Sequence, residues 1–254
     1  MKLISIFFLL LLASACSSTD GGGSQQQEHQ LDTLASAKVH TELAALYYGQ
    51  QRYAVALEEL KIALKMSSKY APAYGVRGLI YMSLQENEKA ENDFERSLDL
   101  DPNDSGTRNN YGWFLCQRGK HKESMAQFMM AVRNPLYSTP EKAFLNAGLC
   151  AKKYGKVMES ESYLKQALQM QPKMPEALQG LAELNFARGD YAGAKSYYLR
   201  LARNGSELTA GDLFLAARVE KKLGDKNAEA SYKLQLRKRF PESREAQLLL
   251  SGEK

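Results

Sequence analysis

The sequence predicts an all-α protein, a right-handed superhelical solenoid of about six helix pairs closed by a short C-terminal helix. Three observations predict it. Ala, Leu, Glu, Lys and Gln dominate the chain, and these are strong helix formers. One pattern of small and aromatic residues returns about every 34 positions, a period typical of stacked helix pairs. Proline closes the second helix of the pattern at Asp101-Pro102, Gln171-Pro172 and Phe240-Pro241. Only 7 prolines and 18 glycines in 254 residues argue against both long disorder and a strand-and-turn protein.

The clearest copy runs from Ala71 to Asp104. It carries Gly78 and Tyr81 in a first helix, Ala90, Phe94 and Ser97 in a second, and Pro102 at the end. The next, from Ser105, has Gly112, Leu115, Gly119, Ser124, Phe128 and Ala131. A fourth, from Glu141, has Gly148, Ala151, Gly155, Ser160, Leu164, Ala167 and Pro172, and a fifth, from Pro175, has Ala182, Gly189, Ala194 and Tyr198. The first, from Ala37, keeps Ala44, Tyr47, Ala56, Leu60 and Ala63. The sixth, from Thr209, is looser: Ala217 and Gly224 fit, but its second helix is one residue out of step. The repeats therefore span 37–70, 71–104, 105–140, 141–174, 175–208 and 209–241, with 242–254 as a capping helix and tail. These marks are those of the tetratricopeptide repeat. Small residues let paired helices approach, aromatics and leucines fill the space between pairs, and no pair buries enough surface alone.

Before the repeats, Met1-Lys2, the apolar run Leu3–Leu12 and Ala13-Ser14-Ala15-Cys16 have the order of a secretory signal. Twelve residues of helix cover roughly 18 Å, short of a bilayer core of about 30 Å. Small residues ahead of Cys16 resemble a bacterial lipobox, although Ala13 stands where that motif favours leucine. The resemblance implies a signal peptide over 1–15 and acylation of Cys16, a covalent lipid and no other cofactor. Two buried acyl chains suffice for stable anchoring. Ser17, where an aspartate would mark retention, resembles the pattern sorted to the outer membrane of a diderm bacterium, on its periplasmic face. Residues 16–36, with Gly21-Gly22-Gly23 and Gln25-Gln26-Gln27, read as the acylated terminus and a flexible tether.

The net charge of +5 is modest and does not point to nucleic acid. From Arg218 to Arg244, however, nine basic side chains face four acidic ones. A solvated helix face is one reading and a patch for an anionic partner the other.

In stacks of this kind the first helices line the concave side. Their inward places hold Asn109, Asn110, Trp113, Cys116 and Gln117 in the third repeat, and Lys142, Leu145, Asn146, Leu149, Lys152 and Lys153 in the fourth. Asn110 and Asn146 share the sixth place. An amide there offers a donor and an acceptor to an extended peptide, and asparagine within a helix wants a reason. Bridging between adjacent helices is the competing reading. Cys116 and Cys150 are the cysteines left once Cys16 is acylated. A disulfide and a pair of buried thiols both suit them.

Asn110-Tyr111-Gly112-Trp113-Phe114-Leu115-Cys116, Asn134-Pro135-Leu136-Tyr137 and Asn146-Ala147-Gly148-Leu149-Cys150 together resemble the type IV pilus biogenesis and stability lipoproteins, the PilF/PilW group. The resemblance implies a pilotin, an outer-membrane-anchored scaffold that helps the pilus secretin reach the membrane and multimerise. It implies the secretin and membrane lipid as partners, no small-molecule substrate, and a monomer outside partner complexes. An adaptor for peptidoglycan enzymes or outer-membrane protein assembly is the alternative. The three histidines, His29, His40 and His121, form no metal spacing, and no phosphate-binding glycine loop or catalytic grouping is present in the sequence. A non-enzymatic binder is the expectation.

Overall fold

The computed structural model describes residues 22–205 and 207–251. The signal peptide, Cys16, the tether up to residue 21 and the last three residues of the tail lie outside these. The described residues form thirteen α-helices: α1 (Gly22–Gly49), α2 (Tyr53–Met66), α3 (Ala71–Ser83), α4 (Asn87–Leu100), α5 (Ser105–Gln117), α6 (His121–Arg133), α7 (Pro140–Lys153), α8 (Val157–Met170), α9 (Pro175–Ala187), α10 (Tyr191–Arg203), α11 (Ala210–Leu223), α12 (Lys226–Arg239) and α13 (Arg244–Ser251). None is long and apolar enough to cross a membrane.

The helices pair in order, α1 with α2 through α11 with α12, and each pair packs on the next. The odd-numbered helices α1 to α11 also touch one another in succession, whereas successive even-numbered helices do not. The stack therefore curves toward its odd-numbered helices, which form the inner wall.

Local chemistry sets the helix ends. Pro72, Pro140 and Pro175 occupy first turns, where a missing N–H costs nothing. Asp104, Asp190 and Asp225 accept the N–H groups of Thr107, Gly193 and Ala228, and Thr209 and Asp212 form a reciprocal capping box at α11. Between paired helices one residue takes a left-handed conformation. Gly119, Gly155, Gly189 and Gly224 fill that place in the later repeats, with φ from 68° to 86°. Gln51 (φ 59°) and Gln85 (φ 61°) fill it in the first two, against their steric preference.

Packing within a pair follows one contact. A Cβ on Gly78 would lie 2.9 Å from the Phe94 ring, one on Gly112 2.7 Å from Phe128, and one on Gly148 2.7 Å from Leu164. Only glycine lets those large side chains seat against the backbone. The hydroxyls of Ser124 and Ser160 complete the seam by donating to the carbonyls of Gly112 (2.7 Å) and Gly148 (2.8 Å).

Polar ties join helices where burial is deep. Arg77 grips the buried Asp93 with Nε and Nη2 at 2.7 and 2.8 Å, and that bond holds the guanidinium pKa up. Glu220 on α11 is almost wholly buried, and accepts from Lys195 Nζ (2.8 Å) and the Tyr198 hydroxyl of α10. Burial, then the bond to Glu220, pushes the Tyr198 hydroxyl strongly upward.

One expectation needs correcting. The chain is helical from Gly22, so the flexible tether does not extend to residue 36. Adding residues to an existing helix avoids the cost of nucleation, and the Gln-, Glu-, Leu- and Ala-containing segment extends α1 outward from its packed part. At the other end the expected capping helix, α13, packs on α11 and α12, with Ala246 buried and Leu249 against the core while Leu250 stays exposed.

Candidate functional site

The inner wall at the third and fourth repeats is built by α5 and α7. Asn146 on α7 donates through Nδ2 to Asn109 Oδ1 on α5, at 3.0 Å. Asn109 is buried at 7% exposure, so this bond lies in the seam between the two helices. The structure thus joins Asn146 to Asn109, while Asn110, one helical step round, is half-buried on the wall and makes no side-chain hydrogen bond among the described residues. Helix rotation per residue explains the separation: neighbours in sequence point about 100° apart.

Cys116 and Cys150, both fully buried, are joined in a disulfide with Cα atoms 6.0 Å apart. Phe128 and Ala147 share their cluster, with Trp113 and Tyr154 packed against it. The only tryptophan is therefore half-buried, one part committed to the disulfide cluster and the rest to the wall. Tyr154 donates its hydroxyl to the Cys116 carbonyl at 2.9 Å, a third tie between the same two repeats. Leu145 and Leu149 are half-buried against the next cluster toward the C-terminus, whereas Gln117 and Lys153 are exposed. Lys153 Nζ lies 6.0 Å from the Tyr154 ring centroid. Lys152 reaches across to Glu183 on α9, and burial lowers its pKa.

What this arrangement offers is a fixed surface of amides, half-exposed apolar groups and a lysine. No group of three or more metal-ligating side chains occurs among the described residues. The wall suits recognition of a peptide or protein surface more than bond chemistry.

Sequence reasoning missed two surfaces. Leu31, Leu34, Val39, Leu43 and Leu46 are exposed on α1, the first helix of the stack. Their uneven spacing, three to five residues, spreads them over about half of the helix surface, so no single-face periodicity announced them. The second is a cavity of about 770 Å³ between α9, α11 and α13, within the region whose basic excess was already visible.

Tetratricopeptide repeat models match residues 71–104, 94–126 and 153–207. With the stacked pairs and curved inner wall, these define the class: a tetratricopeptide-repeat scaffold. The crystal structure of PilW, described as a widely conserved type IV pilus biogenesis factor, is 38% identical, superposes with a TM-score of 0.78, and covers 84% of this chain and 98% of its own. The type IV pilus assembly protein PilF of Pseudomonas aeruginosa is 27% identical over 188 residues, 74% of each chain. A solved structure of PilF from the same organism shares the fold, with a TM-score of 0.79 at 24% identity over 87% of this chain and 100% of that one. The chain belongs to the PilF/PilW family of type IV pilus tetratricopeptide proteins.

Proposed function

We propose that this protein is a non-enzymatic pilotin: exported, acylated at Cys16, held on the periplasmic face of the outer membrane, and assisting localisation and multimerisation of the type IV pilus secretin. The observation that carries the reading is the 38% identity to PilW across 98% of that chain. The physical support is a wall whose shape is set before any partner arrives. The disulfide, the Asn109–Asn146 bond and the Tyr154–Cys116 bond hold α5 and α7 in one register. A preformed surface spares a partner the ordering cost that weakens flexible binders. Asn110, Trp113, Gln117, Leu149 and Lys153 present the chemistry on that wall. The exposed apolar residues of α1 offer a further docking surface, nearest in sequence to the lipid.

Deleting the gene and blotting membranes for detergent-resistant secretin multimers tests the reading. Multimers are expected to disappear and to return with the wild-type gene, whereas with Cys16→Ala the secretin is expected to stay monomeric or mislocalised. Normal multimers in the deletion strain, or septation defects and general porin loss in their place, would assign the scaffold to other envelope machinery.

A further inference from the structure

The cavity at the C-terminal end of the stack has a chemistry the middle of the wall lacks. Its floor is apolar, with Phe186 from α9, Phe214 from α11 and Leu249 from α13. Its rim is cationic: Arg218, Lys221 and Lys222 of α11 line it together. Arg218 is held in place without a carboxylate. Its guanidinium carbon lies 4.4 Å from the Phe186 ring centroid and 5.5 Å from that of Phe214. Two rings so placed restrain the side chain through cation–π contact while leaving its N–H edge free for an anion.

Charge bookkeeping points the same way. Glu183, an acid on the lining, is paired with Lys152, and Lys233 on the same lining with Glu229. Glu220, next to the rim in sequence, is buried and held by Lys195 and Tyr198. Among the described residues Arg218, Lys221 and Lys222 take part in no ion pair, so positive charge is left facing an aromatic floor. A fork-shaped cation favours carboxylates, and a concave aromatic floor favours an inserted side chain.

We infer that this cavity is a peptide-binding site for an acidic segment of a partner protein, one carrying a single aromatic or large aliphatic anchor among Asp and Glu residues. The anchor sits on Phe186 and Phe214, and flanking carboxylates meet Arg218, Lys221 and Lys222. A flat anionic bilayer meets the lysines but does not fill a floor set between three helices. The site is separate from the wall at α5 and α7, and it stands whether or not the secretin is the partner.

The test is fluorescence anisotropy of the full chain in detergent with three labelled peptides: Asp/Glu-rich around one Phe, the same with Asn/Gln for the acids, and the same with Ser for the Phe. The first is expected to bind, and each of the others to bind at least about tenfold more weakly. Lys221→Glu with Lys222→Glu, both exposed, is expected to cost about tenfold with an unchanged melting curve, while Arg237→Glu with Lys238→Glu, away from the cavity, leaves affinity unchanged. Phe214→Ala is expected to weaken the acidic peptide and to leave its Ser-substituted relative unaffected. Equal binding of acidic and neutral peptides, or equal losses from both double variants, overturns the site. So does capture of phosphatidylglycerol vesicles with no peptide binding, or self-association of the chain through this face.

Discussion

The middle and the C-terminal end of the inner wall solve different problems with the same helix pair. Between α5 and α7 a disulfide, an amide–amide bond and a tyrosine–carbonyl bond tie adjacent repeats together. Between α9, α11 and α13 the wall opens into a cavity, and its cationic rim rests on an aromatic ring of α9 with no ion pair across the gap among the described residues. In a stack held by nearest-neighbour packing, a tie between two repeats stiffens that joint and an open joint leaves surface for a ligand. The difference teaches that these repeats are not interchangeable units. The middle fixes curvature, and the end keeps unpaired chemistry.

The sharpest way to break this contrast is to weaken the middle. Phe128→Ala empties the space against Gly112 and is expected to cost about 3–5 kcal/mol, seen as a lower urea midpoint. Cys116→Ser opens the loop closed across a sequence separation of 34 and is expected to cost about 3 kcal/mol, a difference that vanishes when both proteins are measured in reductant. At the open end, Phe214→Ala removes a half-buried ring and should cost only about 1 kcal/mol, although peptide binding there weakens. If it destabilises as much as Phe128→Ala, the end is a structural joint like the middle.

Two smaller effects refine the picture. Gln85→Gly relieves a left-handed residue and is expected to stabilise by about 0.5 kcal/mol, whereas Gly119→Ala at the equivalent turn should destabilise by about 1 kcal/mol in thermal melts. Glu161 on α8 is bonded to Lys165 and then to Arg188, and these bonds hold its carboxyl below the usual range. A depressed carboxylate contributes stability above its unfolded pKa of about 4.3 and loses it as pH falls through the folded value. Wild type should therefore exceed Glu161→Gln in stability near neutral pH, with the difference closing below about pH 4 in a pH series of urea melts.

Much of the architecture was legible because each repeat mark has one cause. Gly78, Gly112 and Gly148 are needed where a large side chain meets backbone, so they recur with the period and announce the pairs. Pro72, Pro140 and Pro175 mark helix starts for an equally local reason. The helical segment before Ala37 was not legible, because three glycines and three glutamines mask a helix that grows from its packed end. On the wall, the periodicity put Asn109, Asn110 and Asn146 on the same side, but which pair of amides meets depends on the rotation of α5 against α7. The cysteine pair was visible as two open readings, and only the 6.0 Å Cα separation joins them. The cavity was least legible. Arg218 reads as one more charge in a basic run until Phe186, thirty-two residues earlier, is placed against its guanidinium.

The central claim is that the inner wall, and not the outer surface, meets the partner protein. Site-specific photo-cross-linking in cells tests it most directly, with benzoylphenylalanine at Gln117 on the wall or at Gln169 on the exposed side of α8. An ultraviolet-dependent adduct with the pilus secretin is expected from position 117 and none from position 169. An adduct from 169 alone would contradict the claim.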